Sequence, residues 1–156
     1  MKRILALSLV FLAACGNEET VPTFADPVPE QVMPMEREGI SIALAEDSFT
    51  DPPVEITTTM MNESGQAMEF GEYFSIEVNK DGQWFAMDHS DAVFYKDADF
   101  KDYGKELPAG AEIQQTFSIK KLGETLLPGE YRLVKTFSAS EAPFYETSVA
   151  VPFTVK

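Results

Sequence analysis

Cysteine is nearly missing from this chain: Cys15 is the only one in 156 residues. A single thiol rules out an intrachain disulfide, so an exported domain must hold together by its core alone. Histidine is equally scarce. His89 is the only one, which excludes a three-histidine zinc site. No serine sits in a Gly-x-Ser-x-Gly elbow, and no local pattern pairs a serine with His89 for a Ser-His-Asp triad. Basic residues are few, 12 against 26 acidic, for a net charge of −14. Nucleic acid is thereby excluded as a partner, because phosphate binding needs Lys and Arg to displace counterions. A long apolar run is also absent. Ile4 to Ala14 falls far short of the roughly 20 residues a helix needs to cross a bilayer.

What the first residues do contain is an export signal. Lys2 and Arg3 give a positive start, Ile4 to Leu12 is apolar apart from Ser8, and Ala13 and Ala14 form a small-residue cleavage site. Cys15 follows directly. Leu12-Ala13-Ala14-Cys15 resembles the lipobox of bacterial lipoproteins. That resemblance implies cleavage of residues 1–14 and attachment of a diacylglyceryl group to the Cys15 thiol. A thiolate is the nucleophile this step requires, and two acyl chains hold where one binds only marginally. Cys15 is therefore the expected lipid-attachment site, and the expected location is the extracytoplasmic side of the cell envelope. Lipidation also removes the thiol from any catalytic role.

Loss of the signal takes Lys2 and Arg3 with it, leaving ten basic against 26 acidic side chains, a balance of −16. Anionic headgroups repel such a chain, so attachment is expected to rest on the acyl chains. The charge itself reads as a solvated surface that keeps the protein soluble. Residues 15–37 read as the lipidated cysteine and an acidic tether containing Pro22, Pro27, Pro29 and Pro34. Proline stiffens a chain toward polyproline II. Fully extended, Gly16 to Arg37 would reach about 70 Å and lift the domain off the bilayer.

Residues 38–156 read as one all-β domain, and the chain's 12 Phe, 5 Tyr and 1 Trp, all but Phe11 and Phe24 within that span, are enough to build a core. Ile40, Ile42 and Leu44 alternate with small residues, the period of a half-buried strand. Val54 to Met61 is β-branched almost throughout and ends at the turn Asn62 to Gly65. Phe70 to Lys80 places Phe74, Ile76 and Val78 on one face, and Lys80-Asp81-Gly82-Gln83 is a hairpin turn into Trp84–Met87. Residues 88–110 read as one short strand, Val93 to Tyr95, inside a long acidic loop. Three more strands follow: Glu112–Lys120 with Ile113, Phe117 and Ile119 inward, Tyr131–Phe137, and Phe144–Val155. In the last, Pro152 marks an edge or bulge. No helical repeat appears in 39–156. Seven to eight short strands with regular turns predict an antiparallel β-sandwich.

Leu127-Pro128-Gly129-Glu130-Tyr131-Arg132-Leu133 sharpens that reading. It resembles the corner entering the sixth strand of an immunoglobulin-like sandwich, where a tyrosine lies two residues before a buried position. Leu133 would fill that position in the absence of a cysteine pair. Trp84 after its hairpin, the Asn62–Gly65 turn and Leu107-Pro108-Ala109-Gly110 before a strand fit the same plan. Together they resemble the bacterial immunoglobulin-like domains of small envelope lipoproteins. The resemblance implies a binding or scaffolding role rather than catalysis.

Three other features invite a chemical reading. Met60, Met61, Met68, Met87 and His89 supply the soft ligands of a copper site, and Met33 and Met35 add two more in the tether; against this, methionine is a common core filler. Asp97, Asp99 and Asp102, with Asp88 and Asp91 nearby, offer oxygens to calcium. The spacing is not that of an EF-hand, because Pro108 stands at the closing position. Phe94, Tyr95, Phe100 and Tyr103 among those acids either anchor a partner or plug an open end of the sandwich. The expectation is a non-catalytic, lipid-anchored domain with no cofactor that binds or scaffolds an envelope component. The alternatives are an accessory protein handling copper or calcium and, more remotely, a proteinase inhibitor.

Overall fold

The computed structural model describes residues 19–90 and 92–156. Residues 1–18, which include the expected signal segment 1–14 and Cys15, and Asp91 lie outside the described residues. Two sheets face each other across an apolar core. One contains β1 (Glu36–Arg37), β2 (Ile40–Leu44), β4 (Glu55–Asn62) and β9 (Glu112–Ser118), in the order β1-β2-β4-β9. The other is built on β10 (Gly129–Ala139) and β11 (Glu146–Val155), paired antiparallel along their length. β3 (Ser48–Phe49) adds to the outer edge of β11 in parallel. On the other side β10 pairs with β6 (Ser75–Lys80) at Tyr131–Val134 and with β5 (Met68–Phe70) at Ser138–Ala139. β7 (Gln83–Ala86) lies beyond β6, and β8 (Lys105–Leu107) beyond β5.

This is the expected sandwich, and its alternation follows from the sequence. Ile40, Ile42, Ile56, Met60, Ile76, Leu133, Phe137, Val149 and Val151 are all buried because period-two spacing puts them on inward faces. Asp81 and Gly82 both take positive φ (54° and 83°) in the β6–β7 turn, as a two-residue hairpin matched to strand twist requires. Asn62 is fully buried and closes the next turn: its amide nitrogen donates to Gln66 O and Leu107 O, each at 2.8 Å, and its oxygen accepts from Ser64 N at 3.0 Å.

Several expectations are corrected. Val93–Tyr95 is not a strand but part of a helical turn, α1 (Ala92–Tyr95). Its β-forming residues are overruled by Phe94, which needs a compact turn to reach the core. The strand expected over 70–80 breaks at Gly71–Phe74, and β8 was hidden in the acidic loop. Ile113 is exposed rather than inward: it pairs with the buried Met60 but stands on β9, the edge strand of its sheet, while Phe117 and Ile119 are buried. Pro152 sits where an edge was expected: on β11, Ala150 N donates to Pro34 O and Thr154 N to Asp47 O. The proline lies between these two outward amides and has none to satisfy.

The largest departure concerns the tether. Residues 21–37 do not stand free but lie against the domain. Val21 belongs to the core cluster. Thr23 bridges to Met87, Phe24 N donates to Ala86 O at 3.0 Å, and Val28 N to Trp84 O at 2.9 Å. The segment thus covers the open edge of β7, then crosses to β11 at Pro34 and enters β1. An uncovered edge strand invites pairing with other chains, and here the proline-rich segment caps it.

Candidate functional site

The crossing segment is held by one buried cation. Arg132 lies on β10 with its side chain on the face opposite Tyr131 and Leu133, and it is 3% exposed. Its Nε donates to Glu77 Oε2 at 2.5 Å, Nη2 to Glu30 O at 2.6 Å and Nη1 to Gln31 O at 3.1 Å. The guanidinium lies 4.7 Å from the Trp84 ring centre, a stacking geometry that arginine favours. Gln31 completes the clamp by accepting from Trp84 N at 2.9 Å and donating to Trp84 O at 3.1 Å. Burial pushes the Glu77 carboxyl up, and the hydrogen bond from Arg132 opposes that shift. Glu30 pairs with Arg37, whose hydrogen bond holds its carboxyl below the usual range.

A second buried cation fills the break between β5 and β6. Lys135 is 2% exposed, on the inner face of β10. Its Nζ donates to Gly71 O at 2.5 Å and Tyr73 O at 2.6 Å, replacing ladder bonds lost where the chain bows out. The rings of Phe70 and Phe117 flank it, each 5.6 Å from Nζ. Burial lowers its pKa to about 8, while Asp102 pulls the other way. Gly71 is needed because a Cβ there would come within 2.0 Å of the Asp102 backbone. Lys135 lines a cleft of about 210 Å³ with Gly71, Asp102 and Glu146.

The loop after β7 closes the side of the sandwich between β6 and β9. Phe94 is buried and packs on Tyr73, Phe74 and Phe100, with ring centres 5.0, 5.8 and 5.4 Å away. Asp97 Oδ2 accepts from Lys121 Nζ at 2.9 Å, tying the loop to a 3₁₀ turn at Lys120–Leu122. That hydrogen bond, joined by one from Asp99 N, holds the Asp97 carboxyl below its usual value. The aromatic set divides by role: Phe94 and Phe100 plug the gap, while Tyr95 and Tyr103 are 70% and 76% exposed. Tyr95, Phe100, Lys101 and Tyr103 line a surface groove of about 420 Å³.

The other candidates separate. Met60, Met68 and Met87 are core residues, and the His89 ring packs on Phe94 at 5.8 Å. Among the described residues, no group of three or more His, Cys, Asp or Glu side chains is arranged to hold a metal ion. Asp97 is engaged by Lys121 rather than gathered with Asp99 and Asp102 toward one point. Arg132, Glu77 and Lys135 were not legible as a site. The available signal was two cations inside a strand otherwise as apolar as Tyr131–Phe137.

The corner expected at Leu127–Leu133 is present. Tyr131 Oη donates to Leu127 O at 2.5 Å, the ring is buried, and Leu133 is fully buried two residues on. Among the described residues no helix is long and apolar enough to cross a membrane. No curated protein matches the chain. A family model described as a bacterial Ig-like domain matches residues 36–153, the span of both sheets and of the tyrosine corner, and the chain belongs to that family.

Proposed function

We propose that this protein is a lipid-anchored component of the bacterial cell envelope whose Ig-like domain binds or scaffolds another envelope component. Family membership points to a binding or scaffolding role, and such families are generally non-catalytic and typically extracellular or surface-exposed. The observation that carries the anchored reading is Leu12-Ala13-Ala14-Cys15 behind a positive and apolar start. The domain's own build supports the role of a module displayed outside the cytoplasm. It is strongly acidic and its β7 edge is closed by an ordered proline-rich segment.

Mass spectrometry of the N-terminal peptide of membrane-extracted protein tests the anchor. A peptide beginning at Cys15 and carrying a diacylglyceryl group is expected. A Cys15→Ala protein that still fractionates with membranes would sink it. Cross-linking of the intact protein in its native envelope, through surface positions outside residues 95–104, tests the binding role; capture of a defined envelope component is expected, and its absence would contradict the role.

A further inference from the structure

We propose that the 95–104 surface rests against the bilayer to which Cys15 is attached, so that the domain docks on its own membrane instead of being held above it. The proposal rests on the lipid-anchored reading of Cys15. Its first support is chain length. Val21 is buried in the core cluster, so the connection from Cys15 to the fold spans residues 16–20. Six residue steps from Cys15 to Val21 reach at most about 22 Å at full extension, not the roughly 70 Å of a free 22-residue spacer.

The second support is where that short connection meets the domain. Pro22 O accepts from Asp88 N at 2.9 Å. His89 follows, its ring 5.8 Å from Phe94, and Phe94 packs on Phe100 at 5.4 Å. The chain bound for the lipid therefore leaves the fold beside this loop, and a short tether gives the loop a high effective concentration at the bilayer.

The third support is chemical. Tyr95 and Tyr103 are 70% and 76% exposed, and Phe24, just inside the docked segment, is 56% exposed. Tyrosine has an apolar body and a polar tip, the character enriched at membrane interfaces. Charge also singles out this stretch. Within 95–104, Lys96 and Lys101 stand against Asp97, Asp99 and Asp102, and Lys121 pairs with Asp97, so the charges here balance in a chain of net charge −14. A locally neutral face is the one such a chain can bring to anionic headgroups without the full repulsion of its surface.

The test uses the full lipoprotein, extracted and reconstituted into vesicles of phosphatidylethanolamine and phosphatidylglycerol, with hydrogen exchange followed by mass spectrometry. Against the same protein in detergent, amides of 95–104 are expected to exchange several-fold more slowly, while those of 40–44 are unchanged. Tyr95→Ser with Tyr103→Ser is expected to abolish the difference while leaving exchange in β10 and β11 as it was. A Cys15 peptide carrying lipid together with unprotected 95–104 amides overturns the docking and spares the anchor. An unmodified Cys15 overturns both.

Discussion

Arg132 and Lys135 are three residues apart on β10, on opposite faces, and both are buried cations. The fold treats them differently. Arg132 has a carboxylate partner in Glu77, two carbonyls from the proline-rich segment and the face of Trp84. Lys135 has two carbonyls and two aromatic rings, with no carboxylate in contact. Guanidinium keeps its charge and gains a planar network, whereas an ammonium buried without a counter-ion gives up its proton more readily. One cation fastens a segment to the outside of a sheet. The other seals a break in the same sheet from within. The difference teaches that in this disulfide-free sandwich long-range cohesion is delegated to polar groups at two specific gaps, one closed by a paired guanidinium and the other by a lysine whose pKa burial lowers to about 8.

Removing the first cation is expected to break the comparison most. Arg132→Ala leaves Glu77 buried without its partner and frees the carbonyls of Glu30 and Gln31. Loss of one partner from a buried pair costs about 3–5 kcal/mol, measurable as a lower urea midpoint. The docked segment is expected to loosen with it, read as faster proteolysis between residues 21 and 37 while β10 and β11 stay resistant.

The second cation is expected to show itself through pH. The folded Lys135 has a pKa of about 8, against 10.5 for the ordinary side chain. Below pH 8 both states hold the proton and the difference is a constant penalty. Between about 8 and 10.5 the unfolded chain holds a proton that the fold has released, so stability rises with pH. From pH 8 to 10 the gain is about 2 kcal/mol, somewhat less than the full slope of 1.36 kcal/mol per unit because the folded lysine is still half protonated at pH 8. Chemical denaturation across that window is expected to show the rise in wild type and its loss in Lys135→Met. The window stops at pH 10 because burial also raises the Tyr131 phenol. A group whose folded pKa is raised loses its contribution as pH climbs past the unfolded value.

The smallest effect is expected away from both cations. Tyr131→Phe removes the hydrogen bond to Leu127 O but keeps the ring stacked on Phe153 at 5.4 Å. A cost of about 1 kcal/mol in a thermal or urea transition is expected, the usual net worth of such a bond. A much larger loss would mean that the corner, rather than the two cations, governs cohesion.

The contrast also explains what could be read from the chain in advance. Strands β2, β4 and β11, the Asp81-Gly82 hairpin and the tyrosine corner were legible because each is encoded within a few neighbouring residues. The Pro-rich segment looked like a spacer because its order depends on Arg132, about a hundred residues downstream. Lys135 was silent for the same reason: its partners lie 64 and 62 residues upstream, and alternation alone expects an apolar side chain there. Val93–Tyr95 followed β propensity until the gap beside Phe74 demanded a turn. Of the candidate surface, the aromatic residues were visible in the sequence. Their division into plug and exposed pair was not, since it depends on which ring faces that gap.

The central structural claim is that residues 21–37 belong to the fold, which places the domain within about 22 Å of Cys15. Amide exchange of Phe24 and Val28, whose N–H groups donate to Ala86 O and Trp84 O, tests it most directly. NMR on the soluble mature domain is expected to show both protected at rates near those of the β6–β7 hairpin, and released in Arg132→Ala. Exchange at random-coil rates in the wild-type protein would contradict the claim and restore residues 21–37 to the role of a free spacer.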